Sequence, residues 1–398
     1  MANNNDKKVL NVPALRFPEF TEEWQGEQLQ EIAELSKGIG ISKEQLSENG
    51  TPCILYGELY TKYKSEIISK IISQTDIEKS KLKHSKQNDV IIPCSGETAI
   101  DIAVARCVPF DNVLLGGDLN VIRLHKYDGA FMAYQLNGKR KTDIAKLAQG
   151  VSVVHLYGEN LKSIKTYNPS LQEQQKIVKL LSMLDERLEV QNKIIEKLQS
   201  LIRGIRNSLL YSDNGTPIRI GDILKERAEK TTVNNQHEIL SSTVKGIFSQ
   251  REYFSKDIAS ENNVGYKVIR LHDVVLSPQN LWMGNINYND RFEVGIVSPS
   301  YKIFTIAEKY DKTFIASMLK TQRALYNYML VSEQGASIVR RNLNMEAFEQ
   351  LVFKIPPYEK QCEIGRTMLA LRTRLAIANA IKIAYGQQKQ WLLRKMFI

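Results

Sequence analysis

Leu171 to Tyr211 reads LQEQQKIVKLLSMLDERLEVQNKIIEKLQSLIRGIRNSLLY, with no proline, a single Gly204 and an apolar residue at every third or fourth position. That spacing predicts an amphipathic helix of about eleven turns. Leu181, Leu188, Ile195, Ile202 and Leu209 recur every seven residues, and Ile177, Leu184, Gln191, Leu198 and Ile205 recur between them. These are the a and d positions of a coiled coil. At about 1.5 Å per residue the helix would be roughly 60 Å long, and its apolar seam needs a partner.

The partner is in the same chain. A shift of 187 residues carries Pro169 to Pro356, Gln174 to Gln361, Ile177 to Ile364, Leu184 to Leu371, Leu188 to Leu375 and Leu209 to Met396. The tail from Glu359 to Ile398 therefore reads as a second copy of the helix, with a seam of Ile364, Met368, Leu371, Leu375, Ala378, Lys382, Tyr385, Leu392 and Met396. If the copies pair antiparallel, Leu181 faces Leu392, Leu188 faces Tyr385, Leu198 faces Leu375 and Leu209 faces Ile364. Gln191 then falls opposite Lys382, a central polar layer of the kind that fixes register at some cost in stability.

The segments preceding the two helices also repeat. Leu29 and Ile32 answer to Ile220 and Ile223, DVIIPCSGE from residue 89 answers to DVVLSPQNL from residue 273, and Leu115 and Leu119 answer to Val297 and Tyr301. Short β-rich runs separated by Gly, Asp and Asn, followed by a helical piece around Gly129 to Leu147, predict an α+β domain with a curled, mainly antiparallel sheet. The expected organisation is a tandem duplication of globular domain and helix: 1–168, 169–211, 212–355 and 356–398. The prolines and large apolar residues of VPALRFPEFTEEW, residues 12–24, suggest an extended strap across another surface.

The net charge is +10, of which residues 172–211 carry +2, residues 359–398 carry +6 and the rest only +2. The excess suggests an acidic partner without proving that the globular parts bind nucleic acid. Cys53, Cys94, Cys107 and Cys362 form no CxxC pair, so reduced thiols are expected rather than a metal site. The start, MANNNDKKVL, has no apolar core for export and no run of 18 apolar residues occurs, so a cytoplasmic protein without membrane segments is expected.

Catalytic signatures are missing. His84, His125, His155, His237 and His272 are scattered, and no phosphate-binding GxxxxGK[ST] or nucleophile GxSxG occurs. NPSL at residues 168–171 resembles a base-binding NPP[YF] motif only superficially, because no glycine-rich cofactor loop precedes it; Pro169 reads as a helix-start residue. A non-enzymatic protein is expected. Two related domains on a rod suit duplex DNA, whose half-sites lie one or more helical turns apart.

Candidate DNA contacts follow from residue chemistry. Ser95, Gly96, Glu97 and Thr98, and in the second copy Gln279, Asn280, Trp282 and Asn285, lie after equivalent strands; amide side chains bind adenine edges bidentately. Equally, these are ordinary solvated loops. Gln149, Gly150, Ser152 and His155 answer to Gln334, Gly335, Ser337 and Arg340, with Arg341 following; such a turn is either structural or a close approach to phosphate. Lys139, Arg140 and Lys141 and the run from Lys79 to Lys86 are either backbone contacts or solvated faces. The basic second helix, with Arg372, Arg374 and Lys389, would face either phosphates or an acidic protein surface.

LRFPEF with Trp24, PSLQEQQKI, LLSMLDERLEVQNKIIEKLQ and the tail KQWLLRKMF together resemble the specificity subunits of type I restriction-modification systems. The likeness spans essentially the whole chain, in that family's order of recognition domain, conserved helix, recognition domain and conserved helix. It departs in the second copy, where Lys360 stands for Glu173 and Lys382 and Lys389 interrupt the seam. The resemblance implies a subunit that reads a split, asymmetric sequence in double-stranded DNA and binds two methyltransferase subunits. Those would supply S-adenosylmethionine chemistry, flipping an adenine for N6 methylation. An ATP- and Mg-dependent restriction and translocation subunit would join them, and no cofactor is implied on this chain.

Three other readings remain at this point: a self-contained methyltransferase or nuclease, opposed by the missing motifs; a coiled-coil scaffold without DNA specificity, opposed by the duplicated domains; and the same architecture in a methylation-only or other restriction class.

Overall fold

The computed structural model describes residues 10–78, 80, 82–209, 215–253, 262–334 and 341–398. The chain divides into two compact units, Met1–Asn192 with Ala380–Ile398, and Lys193–Asn379. Each unit takes part of both long helices, Leu171–Leu209 and Tyr358–Lys395.

In the first unit a four-stranded antiparallel sheet runs in the order Ala33–Lys37, Leu119–Leu124, Asp89–Pro93 and Arg106–Val108. All five residues of Asp89–Pro93 are buried, which is why DVIIP is a continuous apolar run rather than an alternating one. A second sheet of short strands contains a parallel pair, Thr51–Ile54 with Leu114–Leu115. The helical stretch after the sheet is two helices, Gly129–Asn137 and Lys141–Lys146. The first of these begins where Asp128 Oδ1 accepts from Phe131 N at 2.8 Å, satisfying an otherwise unpaired donor.

The second unit repeats the scheme. Leu224–Arg227, Lys302–Ile306, Val274–Leu276 and Ile286–Tyr288 form an antiparallel sheet in the same order, and Asp311 caps Lys312–Met318 by accepting from Phe314 N at 2.7 Å. Domain entry and exit pair alike, Gln25–Gln28 with Lys165–Asn168 and Thr216–Arg219 with Val352–Ile355. The repeat extends to single hydrogen bonds. Gln174 accepts from Asp128 N and donates to Pro169 O, while Gln361 accepts from Asp311 N and donates to Pro356 O. Both glutamines are buried and join the start of a long helix to the capping aspartate of its domain.

The long helices pair within each unit. In the first, Ile177, Leu181 and Leu184 share a core with Leu392, Leu393 and Met396, the Arg187 guanidinium lies 5.7 Å from the Tyr385 ring, and Lys389 donates to Asp185. Numbers rise along one helix as they fall along the other, so the helices are antiparallel. In the second, Leu198, Ile202 and Ile205 share a core with Ile364, Met368, Leu371 and Leu375, and Ile195 and Ala378 are buried. Leu188 is half-buried and Gln191 is buried, whereas the Leu209 side chain lies outside what the structure describes. One seam assignment is corrected: Lys382 is exposed. Its long aliphatic stem allows the ammonium to leave a seam-edge position for water.

Residues 12–24 form the expected strap, held to the first unit. Leu15 N donates to Lys395 O at 2.8 Å, and the buried Trp24 ring meets Phe131 and Phe397 edge-on, with centroids 5.7 and 6.3 Å away. Arg16 grips both oxygens of Glu173 at 2.8 Å, and Trp24 Nε1 donates to the same carboxylate at 3.3 Å. This explains the departure at Lys360. Glu173 is buried because it anchors the strap, whereas Lys360 is exposed and, among the described residues, pairs with Glu363.

Candidate nucleic-acid interface

Two segments singled out separately in the first copy are neighbours in space. Ser95–Gly96 pairs antiparallel with Val154–His155, placing His155 opposite Ser95. Gln149 and His155 exchange backbone hydrogen bonds of 2.9 and 2.7 Å, closing the intervening turn. Gly150 has φ +119°, and a Cβ there would lie 2.2 Å from Val153 O, so glycine is required by the turn itself. Glu97, Thr98, Gln149, Gly150, Ser152 and His155 are exposed on this edge.

Not every candidate presents its side chain. Ser95 is buried, its hydroxyl donating to Asp118 Oδ2 at 3.2 Å. Thr98 Oγ1 is occupied as the cap of Ala99–Ile102, accepting from Asp101 N. The edge also contains residues that sequence reasoning passed over. Val151 is 100% exposed and Val153 and Tyr157 are about half exposed; the His155 and Tyr157 rings stack at 6.3 Å, and Lys37 Nζ lies 5.9 Å from the Tyr157 ring. Their signal was the unbroken run VSVVHLY, which is too apolar for a solvated turn. Methyl groups and rings on such an edge suit thymine methyl contact and base stacking. Tyr60 lies beside Gly96, and its phenol is pushed up first by burial, then by Tyr56 and by the charges of Glu97 and Asp101.

The second copy brings its corresponding segments together too. Arg341 N donates to Gln279 O at 3.2 Å, and the Arg341 guanidinium lies 4.8 Å from the Trp282 ring. A cation over indole is a stiff, preorganised pair. Asn280 lines a shallow cleft with Thr243, Val244, Lys245 and Met283. Asn285 is set aside as a base contact: it is buried, accepting from Ser242 Oγ at 2.9 Å and donating to Ser242 O at 3.0 Å. Ser332–Gln334 pairs with Arg341–Leu343, whereas Gly335, Ser337 and Arg340, and the side chain of Gln334, lie outside the described residues.

Residues 21–200 match the family model of the type I restriction modification DNA specificity domain. That stretch carries a domain of this family. The crystal structure of a type I restriction-modification S subunit from M. genitalium is similar over 97% of this chain and 99% of that one, at 16% identity and a TM-score of 0.62. A chain from a structure addressing complex assembly and conformational transition of the type I R-M system is similar over 95% and 98%, at 13% identity and a TM-score of 0.52. These likenesses show that the chain shares the fold of those structures over nearly its whole length.

Several basic residues of the chain are committed internally. Arg140 donates to Asp143 at 3.0 Å and to Ile398 O at 2.6 Å, with its guanidinium 5.3 Å from the Tyr167 ring, so it serves packing. Lys139 is exposed and Lys141 half-buried; Lys79 and Lys81 lie outside the described residues. Lys389, read as a seam interruption or a phosphate contact, is buried and donates to both Glu66 and Asp185. Arg374 is exposed. The basic character of the second helix is thus partly spent inside the protein.

Among the described residues no group of three or more His, Cys, Asp or Glu is placed to hold a metal ion. Burial pushes the Cys53 and Cys94 thiols up to about 11 and Cys107 up to about 12, so they stay protonated and inert at neutral pH. No helix among the described residues is long and apolar enough to cross a membrane.

Proposed function

We propose that this chain is the DNA-reading subunit of a type I restriction-modification complex, and that residues 1–168 and 212–355 each read one half of a split target. The observation that carries this is the duplicated edge. In both copies the loop after the equivalent strand is tied to residues a few positions beyond the Gln-Gly pair, by Ser95–Gly96 against Val154–His155 and by Gln279 against Arg341. Duplication of this edge within a duplicated domain is what two half-sites call for.

On this reading the first half is met by Glu97, Gln149, Ser152, His155 and Tyr157, and the second by Gln279, Asn280, Trp282 and Arg341. The subunit itself carries no catalysis. Two methyltransferase subunits dock on it and supply S-adenosylmethionine chemistry, restriction subunits join them, and the complex works in the cytoplasm. The exposed apolar residues Met183, Val190, Ile194 and Leu201 on the first long helix, and Ile377, Ile383 and Trp391 on the second, support protein docking there, because unpartnered apolar surface marks interaction sites.

The test is binding of the chain, assembled with its methyltransferase subunit, to a pool of random duplexes. Enrichment of one bipartite sequence is expected. Retention of duplexes without sequence preference would overturn the reading.

A further inference from the structure

The shift that relates the two long helices carries Asp185 to Arg372, and the shift of 183 that carries capping Asp128 to Asp311 carries Tyr134 to Ser317. Equivalent positions thus hold opposite charges. In the first unit Tyr134 Oη donates to Asp185 Oδ2 at 2.6 Å, Lys389 donates to Asp185 and Glu66, and buried Arg106 lies near both carboxylates. Two cations meet two anions.

In the second unit Arg372 Nη2 donates to Ser317 Oγ at 3.3 Å, and the charges that act on it or on which it acts are Lys320, Arg206 and Asp290. Lys320 Nζ donates to Gly284 O at 2.6 Å and Val244 O at 3.4 Å, both neutral carbonyls. Arg206 Nε is buried and has no hydrogen-bond partner among the described residues. Asp290 acts on Arg372 only through space, without forming an ion pair among the described residues. Three cations stand together where the first copy has a neutral set, and a buried charge is costly unless a counter-charge meets it. Burial and the two arginines push Lys320 down to about 8, and burial lowers Arg206 and Arg372. All three side chains retain partial access to solvent.

We propose that Arg206, Lys320 and Arg372 form an oxyanion site in the second recognition unit that takes a phosphate group. Two guanidinium forks and an ammonium match a phosphate in both charge and number of acceptors, whereas a lone carboxylate would leave most of the positive charge uncompensated. The phosphate is either free inorganic phosphate or a phosphodiester of the DNA backbone. Only the second source rests on the DNA-reading function.

The test is heat denaturation of the full-length chain in inorganic phosphate and in chloride at matched ionic strength. Phosphate is expected to raise the Tm. Arg372→Gln and Arg206→Gln are each expected to raise the phosphate concentration for half the effect about tenfold, the loss of one charge-assisted hydrogen bond. Both relieve repulsion, so both are expected to be at least as stable as the parent in chloride. Arg374→Gln, exposed on the same helix, is expected to change the half-effect by less than about twofold. In the methyltransferase complex on DNA, a salt slope reduced by about one in Arg372→Gln assigns the site to backbone phosphate. An unchanged slope with a lost phosphate response assigns it to the free anion. Equal Tm in phosphate and chloride, or equal losses in Arg374→Gln and Arg372→Gln, overturns the site. A phosphate response in a chain that binds no DNA overturns the DNA-reading function alone.

Discussion

Lys389 of the second long helix donates its ammonium to Asp185 of the first; Lys389, Glu66 and Tyr134 are buried there and Asp185 is half-buried. Lys389→Met would leave the Glu66 and Asp185 carboxylates without their ammonium. Breaking one side of a buried pair is expected to cost about 3–5 kcal/mol, read by chemical denaturation of the full chain. Adding Asp185→Asn and Glu66→Gln to Lys389→Met should recover part of that loss, because the stranded charges are then gone. No recovery would mean that Lys389 acts through packing alone.

Glu173 is the anchor of the N-terminal strap, and Lys360 shows what the position becomes without one. Glu173→Lys is expected to free Arg16 and Trp24 together, costing about 2–3 kcal/mol in unfolding free energy and opening residues 12–24 to protease. Lys360→Gln should change stability by less than about 0.5 kcal/mol, since its pairing with Glu363 is exposed.

The helices and the duplication were legible because heptads and a 187-residue shift are properties of spacing, which survives without coordinates. Side-chain direction was not. Ser95 and Asn285 have the same residue chemistry as an exposed base contact, and only tertiary packing turns them inward against Asp118 and Ser242. Lys382 was misplaced because heptad counting extends the seam uniformly. The juxtaposition of Gly96 with Val154, and of Gln279 with Arg341, joins segments about 60 residues apart and has no local signature.

Lys320 makes stability depend on pH in a defined direction. Its folded pKa of about 8 lies below the unfolded value of about 10.4, so the folded state loses its proton first and this residue adds stability as pH rises through that window. The buried thiols act oppositely: Cys53, Cys94 and Cys107 stay protonated when folded but ionise when unfolded above about 8.5. The Lys320 contribution is therefore the difference between parent and Lys320→Met. The variant's stability advantage should be largest near pH 7 and shrink by pH 9.5 in chloride buffer.

Trp282 and Arg341 are expected to act as one unit. Removing the ring by Trp282→Ala should weaken DNA binding by about 0.5–2 kcal/mol, and adding Arg341→Gln should cost little more. Equilibrium binding of the assembled complex to its target, read as a double-mutant cycle, checks this; fully additive losses would separate the two roles.

The central claim is that each recognition domain reads its own half of a split DNA target. It is tested most directly by mapping N6-methyladenine in cells that express this chain with its methyltransferase subunit, before and after residues 25–168 are exchanged for another recognition domain. The account predicts one bipartite motif whose one half changes while the other half is kept. A stable complex that leaves no new methylation, or an exchange that alters both halves, would contradict it.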